Sequence, residues 1–145
     1  MSRRWVANAS PLILLGKVGQ TRLLRDLADE LLIPEAVARE VGVKGDGERM
    51  LQELLSSPSV SLAGEIAVPK DVEVWDLGRG ESEVLAQAMI TEGSRAVVDD
   101  LEARRCAQAL GVGVIGTLGV VLRAKRRGLI EAARPVVTRL RKERT

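Results

Sequence analysis

Six side chains that present oxygen stand at places where a folded chain could gather them: Asn8, Glu40, Glu81, Glu83, Asp99 and Asp100. Oxygen donors of this kind suit hard divalent cations such as Mg²⁺ or Mn²⁺. The rest of the composition narrows the chemistry further. The chain has no histidine and a single cysteine, Cys106, so the common zinc sites and every Ser-His-Asp or Cys-His arrangement are excluded. General acid–base work would fall to carboxylates, lysine or water acidified by a metal. Each acid also has an ordinary explanation. A carboxylate at a helix N-terminus is stabilised by the dipole and by free N–H groups, which would account for Glu81, Glu83 and Asp100. Glu40 could pair with Lys44, and Asn8 could cap the turn that follows it.

Positioning such residues is the task of the elements around them. Val6-Ala7 reads as a short strand that turns sharply into a helix, with Ser10 as cap and Pro11 in the first turn. That leaves Asn8 at the strand's carboxyl end. The helix runs through Leu12 to Val18 and stops at Gly19; a second, TRLLRDLADELL, starts from Thr21 with apolar residues at helical spacing. LLIP is a strand ended by Pro34, PEAVAREV a helix opened by that proline, VGVKGDG a loop and ERMLQELL an amphipathic helix. Pro58, Gly64 and Pro69 predict irregular connections around at most a short strand. VEVWDL alternates as a strand, ESEVLAQAMITEG is a helix closed by Gly93, and AVVDD is a strand that ends in two carboxylates. LEARRCAQALG, VGVIG and TLGVVLRAKRRGL follow as helix, strand and helix, and Pro135 opens a last basic helix at about 135–145.

Strands alternating with helices on short turns predict an α/β fold, a mainly parallel sheet covered on both faces. Ligands of such sheets sit beyond the carboxyl ends of strands, where Asn8, Asp99 and Asp100 fall. With 145 residues, 46% of them apolar and 29% charged, the expectation is a single domain spanning 1–145, able to bury its own core. No apolar run is long enough for a membrane span, and Arg3-Arg4 lead straight to Asn8 without the apolar stretch of a signal peptide, so a cytoplasmic protein is expected. Charge is unevenly placed. Arg123 to Thr145 holds nine basic residues against Glu131 and Glu143, or +7, and leaves −5 for the rest of a chain whose net charge is +2. A polyanion would meet the basic end first, although a solvated helix face explains the same pattern. Phe and Tyr are absent; Trp5, Trp75 and Cys106 read as core. GVKGDGE lacks the spacing of a phosphate loop.

In order, the segments NASPLI, IPEAVAREV, GRGESEVLA, AVVDDLEARR and VIGTLGVVLRAKRRGL resemble the PIN-domain family, closest to a branch marked by the S-P-L-I and G-T-L-G segments. The resemblance runs from about Trp5 to Pro135. It implies a three-layer α/β/α sandwich whose acidic residues bind Mg²⁺ or Mn²⁺ to hydrolyse phosphodiester bonds, usually of RNA. Position by position, Glu40 matches the family's second acid, Glu81 its third with Glu83 as rival, and Asp99 or Asp100 its fourth. Ser10 resembles the small hydroxyl residue beside the first acid, and Thr117 stands near the site. Where the family's first aspartate would end its strand, this chain has Asn8, which offers a carbonyl oxygen but no charge. The resemblance further implies homodimers and, for toxins of toxin–antitoxin pairs, an antitoxin protein as partner.

The leading expectation is therefore a metal-dependent ribonuclease acting on single-stranded RNA, with Arg123, Lys125, Arg126 and Arg127 gripping the backbone without reading bases. The alternative is a non-catalytic protein- or RNA-binding module whose metal site Asn8 has weakened. A phosphate-accepting domain of the response-regulator kind shares the layered sheet and acidic pocket, but no lysine follows a strand where that chemistry would use one.

Overall fold

A computed structural model describes residues 3–144. Among them, five strands form one all-parallel sheet in the order β3-β2-β1-β4-β5. Its central strand β1 (Arg4–Ala7) pairs with β2 (Glu30–Pro34) on one side and β4 (Ser94–Val97) on the other; β3 (Val60–Ala63) and β5 (Gly113–Ile115) are the edges. Trp5, Val6 and Ala7 are all buried. A strand with no polar alternation is what a parallel sheet covered on both faces requires.

The helices follow from the crossovers. From β1 the chain passes through α1 (Ala9–Lys17) and α2 (Arg22–Leu27) to β2, then through α3 (Glu35–Gly42) and α4 (Gly47–Leu55) to β3. It returns across the sheet by α5 (Lys70–Glu73) and α6 (Arg79–Ile90) to β4, and passes through α7 (Leu101–Ala109) to β5. Right-handed crossovers that run in opposite directions along a sheet put their helices on opposite faces. Accordingly α2 packs on α8 (Thr117–Arg126), α8 on α9 (Ala133–Arg144), and α6 on α7. The result is the expected α/β/α sandwich. Gly111 and Gly128, the stops expected after α7 and α8, adopt φ of 74° and 76°, a region closed to most side chains. Cys106 and Trp5 lie in the core and Trp75 packs against it. No helix among the described residues is long and apolar enough to cross a membrane.

Three local expectations are corrected. VEVWDL is not a strand: Lys70–Glu73 is a short helix after Pro69, with Asp71 and Glu73 in its first turn. Val72 and Val74 would share a strand face, yet Val72 is fully buried and Val74 is 77% exposed, as two positions on opposite sides of a helical turn must be. The helix expected over Thr21–Leu31 ends at Leu27, because the Asp29 and Glu30 amides donate to Arg3 O and Leu31 pairs with Trp5. Sheet pairing overrides the local periodicity. Finally, Ser10 is not a cap; α1 starts at Ala9, Asn8 holds the N-cap position, and Ser10 is an exposed residue of the first turn.

Candidate metal centre

Three strand ends meet at the point where the strand order reverses. The Asn8 amide donates to Val97 O at 3.0 Å and the Val98 amide to Ile115 O at 3.1 Å, which aligns the exits of β1, β4 and β5. This switch point, where neighbouring connections leave in opposite directions, opens a crevice beyond the strands' carboxyl ends.

Asn8 is 4% exposed and makes no side-chain capping bond, although it occupies the N-cap position. A Cβ built on Gly80, in the first turn of α6, would lie 3.6 Å from Asn8 Oδ1 and 3.2 Å from Glu40 Oε1. Gly80 is thus a floor over which α3 and β1 deliver an amide and a carboxylate. It is a position in the candidate site that sequence reading passed over, and its signal was a glycine inside a helix beside an acid, where alanine would be the better helix former. The ordinary alternative for Glu40, a pair with Lys44, does not form: Glu40 takes part in no ion pair among the described residues.

Glu81 and Glu83 part company. Burial pushes the Glu81 carboxyl above its ordinary range, and the charges of Asp100 and Glu40 add to the rise, against a backbone hydrogen bond that opposes it. Glu81 therefore shares a field with two other carboxylates. Glu83 is 2% exposed and is held instead by the Ala36 amide and by Arg79 Nε, each at 3.4 Å. It joins the start of α3 to α6.

Asp99 and Asp100 also divide. Asp99 accepts from the Thr117 amide at 2.8 Å and from Thr117 Oγ1, tying the end of β4 to the start of α8. Thr117 is 1% exposed, so its hydroxyl needs that partner. Asp100 Oδ2 accepts from the Ala103 amide at 2.9 Å and caps α7; the ordinary role expected of it holds, and its charge reaches Glu81 as well. Ser10, Asp99 and Asp100 line a hollow of about 440 Å³ with Ile13 and Leu14.

Among the described residues no group of three or more Asp, Glu, Cys or His is gathered closely enough to hold a metal ion. The donor set nonetheless fits a hard cation. It is made of oxygen, it includes the amide of a buried Asn8 with no capping duty, and burial together with the charges of Asp100 and Glu40 raises the proton affinity of Glu81, an unfavourable state that a cation would relieve.

Of the basic residues, Arg123 lines a second hollow of about 440 Å³ with Asp99 and Arg104. Arg126 and Arg127 lie at the other end of the sheet, with Arg3, Trp5 and Leu27, and Lys125 is exposed.

Among curated proteins none matches the chain. A family model described as PIN domain matches residues 4–145. PIN domains are in general nucleases that act on nucleic acid and use divalent metals. That match, over a parallel sheet with acidic residues at its switch point, makes the chain a member of the PIN-domain family.

Proposed function

We propose that this PIN domain is a divalent-metal-dependent ribonuclease that cleaves single-stranded RNA at the crevice formed by Asn8, Glu40, Glu81 and Asp100. The observation that carries the reading is the buried Asn8 carbonyl, released from capping and directed with Glu40 over Gly80. When bound, Mg²⁺ or Mn²⁺ supplies positive charge against the negative charge that develops on a phosphodiester and lowers the pKa of water. Glu40, Glu81 and Asp100 would hold it through carboxylates and Asn8 through its amide oxygen. Asp99 acts through Thr117, fixing the backbone from which Asp100 projects. Glu83 holds α3 against α6 and so positions Glu40 on one element and Glu81 on the other. The antitoxin partner and the homodimer belong to the same proposal and rest on family resemblance.

A second reading, a binding module without catalysis, is favoured by one feature: the neutral Asn8 stands where the family's first acid would, in a site where, among the described residues, no group of three acids is drawn tightly together. Glu40→Gln separates the two. Under the nuclease reading it abolishes Mn²⁺-dependent cleavage of single-stranded RNA while RNA binding in EDTA persists; cleavage at the unmodified rate removes Glu40 from the chemistry and the reading with it.

A further inference from the structure

Arginine accumulates along the β5 edge of the sheet. Arg104 projects from α7 so that a Cβ on Gly116 would meet its Nη1 at 2.8 Å, and Arg95 crosses the edge strand where a Cβ on Gly113 would meet its Cγ at 3.3 Å. Both glycines leave room for an arginine stem or head. Arg104 and Arg123 line the hollow that contains Asp99, while Arg123, Arg126, Arg127 and Arg3 line a smaller one of about 100 Å³ beyond it. Arg123 belongs to both, so the two hollows form one path from the acidic crevice toward the opposite end of the domain. From Thr117 to Arg126 that path follows α8 for about 14 Å at the helical rise.

Among the described residues none of Arg3, Arg95, Arg104, Arg123, Arg126 and Arg127 takes part in an ion pair. Arg4, Arg22, Arg25, Arg79 and Arg105 are paired with acids, whereas Arg39 and Arg49 are, among the described residues, in no ion pair either, so what sets the edge apart is that Arg3, Arg104, Arg123, Arg126 and Arg127 line shared hollows. Burial lowers the proton affinity of Arg123, and the charges of Arg95, Arg126 and Arg3 lower it further. Like charges held together are unfavourable in the free protein and favourable once a polyanion lies among them; at the crevice end Asp99 lies beside Arg104, its Oδ1 3.0 Å from the same Gly116 Cβ position, so the excess positive charge falls toward Arg123, Arg126 and Arg127.

We propose that this edge is the track for the RNA backbone, with Arg104 and Arg123 holding the phosphates next to the crevice and Arg126 and Arg127 those farther along the strand. The role of the track as a substrate path rests on the nuclease reading; its capacity to bind RNA does not. It enlarges the expected grip of the basic helix by three residues from outside it, Arg3, Arg95 and Arg104, and gives it a direction along α8.

The test measures binding of a short fluorescein-labelled RNA single strand by anisotropy in EDTA, where cleavage does not intrude, between about 50 and 200 mM salt. Each phosphate contact to a single strand contributes about −0.7 to the slope of log K against log salt, so Arg104→Gln, Arg123→Gln and Arg126→Gln together reduce its magnitude by about 2. The exposed pair Arg126→Gln and Arg127→Gln, which disturbs no core, reduces it by about 1.4 on the same scale. Arg105→Gln, on the same helix as Arg104 but paired with Glu102, leaves it unchanged. Slopes in both multiple variants equal to that of the native chain overturn the track. So does a loss of binding to polyglutamate with RNA binding intact, which reassigns the arginines to an acidic protein. Failure of the nuclease reading appears separately, in the Mn²⁺ cleavage assay.

Discussion

Restoring a charge at position 8 tests the site most directly. Asn8 Oδ1 and Glu40 Oε1 lie 3.6 Å and 3.2 Å from one point above Gly80. They are thus at most about 7 Å apart, and Asn8→Asp adds a repulsion of roughly 2 kcal/mol with Glu40 at an effective dielectric of 20. Glu40 is exposed, so water and salt reduce this to about 1 kcal/mol. In a chain of this size that lowers the melting temperature by about 3 °C in EDTA. A divalent cation reverses the sign. A new charge about 4 Å from it gains several kcal/mol before desolvation is counted, and a net gain of only about 1.4 kcal/mol already tightens binding tenfold. Calorimetric titration with Mn²⁺, with thermal melts in EDTA and in Mn²⁺, reads both effects. The expected variant is less stable than the native chain without metal, more stable with it, and binds Mn²⁺ at least tenfold more tightly. If it melts at one temperature under both conditions and binds no better than the native chain, Asn8 does not face a cation and the reasoning fails.

Two further outcomes follow from the same geometry. Gly80→Ala gains up to about 1 kcal/mol of helix propensity but sets a methyl 3.2 Å from Glu40 Oε1; stability is expected to hold or rise while Mn²⁺ affinity falls tenfold or more, and undiminished affinity would show that Gly80 is not the floor of the site. Because the Glu81 carboxyl is raised above its ordinary range by burial and by Asp100 and Glu40, its contribution favours the fold fully below the unfolded pKa and is lost as pH rises through the folded one. Glu81→Gln should therefore melt higher than the native chain in EDTA at pH 7, by no more than about 3 °C since the group is partly solvated. The difference should vanish near pH 4, and a pH-independent difference would contradict the assignment.

Much of the scaffold was legible because its signals are local. Apolar runs such as WVA and AVV, prolines at helix starts and glycines at helix stops follow from backbone sterics and burial on both sheet faces, so the order of strands and helices could be read directly. Where those signals were weak, tertiary pairing decided. Leu31 carries helical spacing, yet the open edge of β1 draws it into β2. Val72 and Val74 alternate like a strand, yet the return crossing buries one and exposes the other.

The site divides along the same line. Sequence by itself narrowed the chemistry open to the site, since a chain without histidine and with one cysteine has little beyond oxygen to offer a metal, and it determined that Asn8 and the Asp99-Asp100 pair follow strand ends. Only the tertiary structure distinguished Glu81 from Glu83 and Asp99 from Asp100. Residues one or two apart meet different neighbours: Glu81 the charges of Asp100 and Glu40, Glu83 the Ala36 amide at the start of α3, Asp99 the start of α8 at Thr117, and Asp100 the Ala103 amide of its own helix. The arginine edge was legible only in part: Arg123, Arg126 and Arg127 share one basic helix and its C-cap, whereas Arg95 and Arg104 come from β4 and α7 and join them only once those elements pack beside α8.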